Sequence, residues 1–156
     1  MSIFDDNKCE CCVCPMLNVL NQLIGQNVNI ITPVAVSLTS NLIEVKDSIA
    51  FTTRGNFPAC NIIGVSYFTE NLPNEINLRP SVRKNVGVCA CCEDPNTNLL
   101  NSLIGQSIIP EIPSPVNFTP QFVIEVGNGT VKLGRPATST FEIILSTCTI
   151  VRITLA

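Results

Sequence analysis

The stretch CECCVCPMLNVLNQLIGQ at residues 9–26 returns at residues 89–106 as CACCEDPNTNLLNSLIGQ. Aligned without a gap, the two stretches are identical at 11 of 18 positions, including three cysteines, one proline and the closing Leu-Ile-Gly-Gln. Internal repetition on this scale is a stronger indicator of organisation than the chain length of 156 residues. The sequence therefore predicts two tandem units.

The likeness between the two halves continues more loosely beyond these stretches. IEVKDSIAF at 43–51 resembles IEVGNGTVKL at 124–133, and CNIIGVS at 60–66 resembles CTIVRIT at 148–154. We place the boundary between the units near residues 80–88. The predicted organisation is an N-terminal Cys-rich connector arm (1–15), a first β unit (16–78), a linker with a second Cys-rich arm (79–94) and a second β unit (95–156).

A short helix is predicted after each cysteine cluster. In the second unit Asp94 suits the N-cap and Pro95 the first helical position, and Gly105 stands where a helix would end. The apolar residues at helical spacing are Leu99, Leu100, Leu103 and Ile104 there, and Leu17, Leu20, Leu23 and Ile24 in the first unit. Because two turns of helix are unstable alone, we expect these apolar faces to pack on the sheet that follows.

Short β-rich runs fill the rest of each unit. In the first unit they are NVNIIT (27–32), VAVSL (34–38), NLIEV (41–45), SIAFTT (48–53) and NIIGVSYF (61–68). In the second they are SIIPEI (107–112), VNFT (116–119), QFVIEV (121–126), TVKLG (130–134), TFEIIL (140–145) and CTIVRITL (148–155). About five short strands in some 50 residues are typical of a small β-barrel or a jelly-roll-like sandwich. The predicted fold class is all-β, with two such units.

Four prolines lie close together in the second unit: Pro110, Pro113, Pro115 and Pro120. Since proline cannot donate a hydrogen bond to a β-ladder, we expect this stretch to be an edge or a loop. Exposed edges invite pairing with another chain.

Composition favours a protein that meets other copies of itself. Only 13% of the residues are charged, the net charge is −3 and the mean hydropathy is +0.36. The acidic balance argues against nucleic acid as a partner. No apolar run is long enough for a membrane span, and the first residues, MSIFDDNK, lack the features of a secretory signal.

The nine cysteines are the main candidates for function: Cys9, Cys11, Cys12, Cys14, Cys60, Cys89, Cys91, Cys92 and Cys148. Adjacent cysteines such as Cys11 and Cys12 do not suit a bond to each other, because their Cβ atoms point to opposite sides of an extended chain. Each should reach a different partner. We expect the clusters to act as connectors that join a unit to its neighbours, and an odd total leaves at least one thiol for another molecule or unpaired.

These cysteines have three alternative uses. A zinc or metal cluster site is open to the thiolates of the clusters, although structural zinc sites usually draw paired ligands from two separated arms. Reduced, buried thiols are the plain alternative for Cys60 and Cys148. A catalytic cysteine needs a base, and the chain has no histidine. Without a phosphate-binding loop or a nucleophile elbow either, the sequence predicts neither an enzyme nor a cofactor.

The cysteine cluster, the following LIGQxVxI and the late cysteine-bearing strand resemble the cysteine-rich surface proteins of bacterial endospores, namely coat and exosporium proteins and endospore appendage subunits. The resemblance implies that Cys11 and Cys12, with Cys9 and Cys14, belong to an arm that reaches neighbouring subunits. Cys91 and Cys92 would be an internal copy of that arm, and Cys60 and Cys148 its acceptors on strands.

The resemblance also implies a location and partners. The protein would assemble in the mother-cell cytoplasm and remain on the spore surface, where oxidising surroundings permit disulfides. Its partners would be other copies of itself, in a disulfide-cross-linked fibre or layer, and other spore-surface proteins. Two alternatives stay open: a thiolate zinc module, and a ring-forming adaptor, since a helix followed by five strands with IGQNVNIIT is similar to an Sm-like small barrel.

Overall fold

The computed structural model describes residues 13–78, 94–135 and 140–156. Within them the protein is mostly β, with ten antiparallel strands and two α-helices. The predicted unit boundary lies outside the described residues, as do six of the cysteines: Cys9, Cys11, Cys12, Cys89, Cys91 and Cys92.

The two halves of the chain carry the same series of elements. The first half comprises α1 (Val13–Gln22), β1 (Asn27–Ile31), β2 (Val36–Lys46), β3 (Ile49–Thr52), β4 (Gly55–Pro58) and β5 (Gly64–Phe68). The second comprises α2 (Asp94–Asn101), β6 (Ser107–Glu111), β7 (Gln121–Val126), β8 (Thr130–Gly134), β9 (Phe141–Ser146) and β10 (Arg152–Leu155). Short 3-10 turns occupy Ala59–Asn61, Thr69–Asn71 and Thr147–Thr149. The first and the last of them precede the fifth strand of each half.

The repeated Leu-Ile-Gly-Gln forms the same joint between helix and sheet in both halves. Gly25 and Gly105 have φ of +88° and +84°, a conformation that favours glycine, and they lie in the turns that follow α1 and α2. Gly25 N–H donates to the Leu42 carbonyl at 2.7 Å, and Gly105 N–H donates to that of Val123 at 2.8 Å. The repeated sequence thus fixes each helix to the second strand of its half.

The buried helix faces differ in part from the prediction. In α1, Met16, Val19 and Leu20 are fully buried, and Leu23 follows them into the core. Ile24, Leu99 and Ile104, expected on the packed faces, are exposed. They lie at or beyond the helix ends, or on the outer side of α2, where Thr97 and Leu100 take the inward positions.

All ten strands form one sheet in the order β10-β6-β7-β8-β9-β5-β1-β2-β3-β4. In each half the fifth strand lies beside the first, and the remaining strands follow in chain order. The halves meet where β9 of the second pairs with β5 of the first. The sheet therefore repeats one strand order twice, head to tail.

The apolar core divides into two clusters that share residues across the meeting point. Ile144 of β9 belongs to the cluster of the first half, with Met16, Leu20 and Val65 among its members. Ile31 and Ile63 of the first half belong to the cluster of the second half. Each half contributes side chains to the core of the other, so the two halves pack as neighbours through buried apolar residues.

Three predicted strand boundaries were wrong. The runs 34–38 and 41–45 form one strand, β2, which passes through Thr39 at a φ of +43°. The Asn29 side chain holds this kink, since its Oδ1 accepts from Thr39 N–H at 2.7 Å. The run VNFT (116–119) is not a strand, and Gly55–Pro58, which falls between the predicted runs 48–53 and 61–68, is β4.

Pro110 lies in β6, which stands between β10 and β7 in the sheet, but at a position where β6 pairs with β10 alone, as the edge-or-loop prediction allows. The β6–β7 ladder pairs only Ser107 and Ile108 with β7. Pro110 lies beyond the end of that ladder, so its missing N–H removes no bond. Pro113, Pro115 and Pro120 lie outside the strands, as predicted.

Candidate assembly site

The pairing of β5 with β9, here called the joint, is continuous over five residue pairs: Gly64 with Leu145, Val65 with Ile144, Ser66 with Ile143, Tyr67 with Glu142 and Phe68 with Phe141. Backbone hydrogen bonds extend it at both ends. Ser146 N–H donates to the Ile63 carbonyl at 2.9 Å, and Thr69 N–H donates to that of Thr140 at 2.6 Å. Because hydrogen bonding alternates along an antiparallel pair, Val65 and Tyr67 are the β5 residues whose main-chain groups face β9.

Glycine suits the start of the joint because a larger residue would be crowded there. A Cβ atom at Gly64 would lie 2.6 Å from Leu145 Cδ2 and 3.3 Å from the Ile144 carbonyl oxygen. Both separations are shorter than ordinary contacts. The bare backbone of Gly64 lets the Leu145 side chain close the second core cluster.

A buried hydrogen bond crosses the joint at its centre. Tyr67 is 1% exposed, and its hydroxyl donates to Glu142 Oε1 at 2.9 Å. Burial raises the pKa of Tyr67 well above its ordinary value of 10.0, and the negative charge of Glu142 raises it further. The tyrosine is a neutral donor that ties the first half to a carboxylate of the second.

Residues 72–78, here called the connecting segment, run from β5 across both halves. On the first half, Gln22 and Asn77 exchange two hydrogen bonds: Gln22 Nε2 donates to the Asn77 carbonyl at 2.8 Å, and Asn77 N–H donates to Gln22 Oε1 at 2.9 Å. On the second half, the buried Lys132 Nζ donates to the Ile76 carbonyl. The connecting segment therefore fastens α1 to β8.

The Lys132 ammonium also has two carboxylate partners, Glu125 at 3.1 Å and Glu75 at 3.7 Å. Glu44 and Glu125 occupy the same place in the repeated Ile-Glu-Val. Glu44 is exposed, whereas Glu125 is half-buried beside Lys132. The equivalent of Lys132 in the first half is Phe51, because each stands opposite its glutamate in the ladder. The local sequence of the repeat gives no sign of this ion pair.

Among the described strands, β4 has a neighbour on one side only. It pairs with β3, and Ala59 N–H donates to the Ser48 carbonyl at 2.8 Å at the end of that ladder. By alternation, the main-chain N–H and C=O of Asn56 point away from β3. Pro58 has the same orientation but no N–H. Sequence reasoning missed this edge, because Gly, Asn and Pro are poor strand formers.

The other end of the sheet is β10, which pairs with β6 alone in the described part of the chain. Ala156 N–H donates to the Ser107 carbonyl at 3.0 Å, so the main-chain groups of Ile153 and Leu155 point to the open side. Arg152 makes a two-pronged ion pair with Glu111 on β6, at 2.6 and 2.7 Å. This draws its guanidinium away from the open edge.

Three of the candidate cysteines fall within the described residues. Cys60 is exposed and is the free thiol of that part of the chain. Cys14, in α1, and Cys148 are each disulfide-bonded and half-buried. Cys60 and Cys148 were expected on strands, but both lie in the 3-10 turns that precede the fifth strand of each half. Cys60 lies two residues after Pro58, the last residue of the open edge β4.

No family model, no curated protein and no solved structure matches this chain. Across residues 13–78, 94–135 and 140–156, no group of three or more metal-ligating side chains comes together. No helix in the same ranges is long and apolar enough to cross a membrane.

Proposed function

We propose that this protein is a structural subunit that assembles with other copies of itself into a disulfide-cross-linked fibre or layer on the bacterial spore surface. The observation that carries the proposal is that β4 and β10, at opposite ends of one sheet, each have a single neighbour among the described strands. Strands with free main-chain donors and acceptors pair readily with another chain. Natural monomers usually defend such edges with charges or prolines. On β4 and β10 these residues are Pro58, which lacks an N–H, and Arg152, which is engaged with Glu111, whereas Asn56 and Ile153 keep main-chain groups that point outward.

The finer architecture in this proposal is two tandem small β units, each led by a Cys-rich arm and a short helix. The repeated order of elements and the repeated Leu-Ile-Gly-Gln hydrogen bonds support it. The exposed thiol of Cys60, next to β4, supplies a point where a second copy could be cross-linked. If disulfides linked the copies, the copies could separate only after those disulfides were broken.

Non-reducing electrophoresis and electron microscopy test this proposal. Oxidised protein should give a ladder of multimers that collapses to the 16.9 kDa chain with heat and reductant. Cys60→Ser should reduce the fraction of protein in multimer bands without changing the melting temperature, because the Cys60 side chain is exposed. Its matched control, Ser114→Ala, leaves every thiol in place and should leave the ladder unchanged. A monomer under both conditions, with no ordered assemblies in the microscope, contradicts the proposal.

A ring-forming adaptor with an Sm-like fold is the second candidate, and the order of elements favours it. In each half a helix is followed by five strands, as that resemblance implies, and the two halves pair through one strand of each. An RNA-binding role would show as oligonucleotide binding at low salt, which the net charge of −3 opposes. The zinc-module alternative has less support, since Cys14 and Cys148 are disulfide-bonded.

A further inference from the structure

We infer that copies of this chain join head to tail, with β4 of one copy paired antiparallel to β10 of the next in a register copied from the joint between β9 and β5. The inference rests on the proposed function and specifies the surface through which a second copy binds. The joint pairs two strands within one chain, whereas β4 and β10 each lack a second partner strand among the described residues.

The equivalence between the halves fixes which residues correspond. The 3-10 turns Ala59–Asn61 and Thr147–Thr149 place Cys60 level with Cys148. With the same spacing, β4 corresponds to the end of β9, and β5 corresponds to β10. If β4 of one copy pairs with β10 of the next, the pairing therefore repeats between two copies the contact that β9 makes with β5 within one chain.

This correspondence gives a residue-level register. Gly64 pairs with Leu145 in the joint, so Arg152 should pair with Phe57 of the next copy. In the same way, because Val65 pairs with Ile144 in the joint, Ile153 should pair with Asn56 of the next copy. Continuing along the strands, Thr154 meets Gly55 and Leu155 meets Arg54.

The main-chain groups at the open edges suit this register. Ile153 and Asn56 both point their N–H and C=O outward, so they can exchange two hydrogen bonds, as Val65 and Ile144 are placed to do in the joint. A register shifted by one residue would oppose an outward-facing residue to an inward-facing one. Only shifts of two residues remain as alternatives.

Exposure of apolar side chains points to the same surface. On β5, Ile63, Val65 and Tyr67 are 3%, 0% and 1% exposed. Their counterparts at the open edge are Val151, Ile153 and Leu155. Val151 is 70% and Leu155 is 61% exposed, and Ile153 is half-buried. Positions that the joint buries are apolar and uncovered at β10, which is expected of a surface that a second strand covers.

Two differences make the contact between copies weaker than the joint. Ser146 donates to the Ile63 carbonyl, but its counterpart Pro58 has no N–H to offer. The hydrogen bond between Tyr67 and Glu142 has no counterpart, since Leu155 and Arg54 take those places. Arg54 N–H is also already bonded to Thr52 Oγ1 at 3.1 Å. A short ladder of this kind would form reversibly and would be made permanent by cross-links.

Site-directed cross-linking between copies tests the register. One population carries Phe57→Cys and a second carries Arg152→Cys, both with Cys60→Ser to remove the neighbouring thiol. The two are mixed, oxidised and digested, and the linked peptides are identified by mass spectrometry. Residues 57 and 152 would form a non-hydrogen-bonded pair with Cα atoms about 4.5 Å apart, within disulfide reach. The control mixture, Phe57→Cys with Thr154→Cys, places the thiols on a diagonal of about 7–8 Å and should cross-link at least about tenfold less.

Proline variants test the ladder independently. Asn56→Pro and Ile153→Pro remove N–H groups that point away from the neighbouring strand, so each monomer should keep its melting temperature and lose assembly. Asn56→Ala and Ile153→Ala keep the N–H groups and should still assemble. If a proline variant does not fold, the cross-linking result decides alone.

The outcomes separate the inference from the proposed function. A dominant link between residues 57 and 152 supports the register. Assemblies that form without this link, or that survive both proline substitutions, overturn the head-to-tail pairing while leaving a self-assembling protein. Failure of the unmodified protein to assemble at all refutes both.

Discussion

Replacing Tyr67 with phenylalanine isolates the one polar side-chain bond that crosses the centre of the joint. The change removes a hydroxyl and leaves the ring, so the packing of a side chain that is 1% exposed stays intact. Hydrogen bonds to charged groups contribute about 1.5–3 kcal/mol. Glu142 is half-buried and can recover water when its donor is lost, so we expect the lower end, about 1.5 kcal/mol. In a chain of this size that corresponds to a melting temperature lower by about 3–6 °C.

The same residue gives the protein a defined response to alkaline pH. The folded state raises the pKa of Tyr67 above the ordinary value of 10.0, mainly by burial and secondarily through Glu142, so it holds the phenolic proton more tightly than the unfolded chain does. Tyr67 therefore contributes no pH dependence below about pH 10. Above it, stability should fall by up to about 1.4 kcal/mol per pH unit. Tyr67→Phe should lack that part of the slope.

Urea unfolding followed by far-ultraviolet circular dichroism, at pH 8 and at several values above 10, measures both effects. The chain has a single tyrosine, so phenolate absorbance in the folded protein reports Tyr67 alone. Titration of the folded protein near pH 10 would refute the buried hydrogen bond. So would a Tyr67→Phe variant that matches the parent at every pH.

Two further substitutions test the contacts between the halves. Gly64→Ala should destabilise the protein by about 1–3 kcal/mol in urea unfolding, because the new methyl group overlaps Leu145. The double variant with Leu145→Ala should lose less stability than the sum of the two single variants. Strictly additive losses would show that the two side chains do not touch. Lys132→Ala should cost about 2–5 kcal/mol, because it empties a fully buried site and leaves the Ile76 carbonyl without its donor. Lys132→Met, which keeps the stem, should cost less, and equal losses for the two variants would show that the stem contributes no packing.

Local signals were enough to predict the elements whose stability is mostly local. The predicted runs QFVIEV and TVKLG coincide with β7 and β8, since a Gly-Asn-Gly turn separates two strand-forming segments. Both helices end near Gly25 and Gly105, as the repeated glycine indicated. The mostly-β class follows from the same short runs.

The elements that escaped prediction depend on distant parts of the chain. β4 consists of Gly55, Asn56, Phe57 and Pro58, and it is a strand because β3 supplies its partners. The joint brings together β5 and β9, which are far apart in sequence and carry no matching motif. Lys132 is a charge in a run of apolar residues, and the connecting segment that covers it gives no local sign of doing so.

The joint and the contact proposed between copies should differ in strength, because the two strands of the joint belong to one chain. The connecting segment keeps β5 and β9 at a high effective concentration relative to each other. Gly64 allows their close packing, and the Tyr67–Glu142 hydrogen bond strengthens their pairing. The contact proposed between copies has none of these refinements. If it were equally strong, copies would pair irreversibly as soon as they were made. A weaker ladder lets misplaced copies leave before a thiol such as that of Cys60, one residue beyond the Ala59 that closes β4, fixes the correct neighbour.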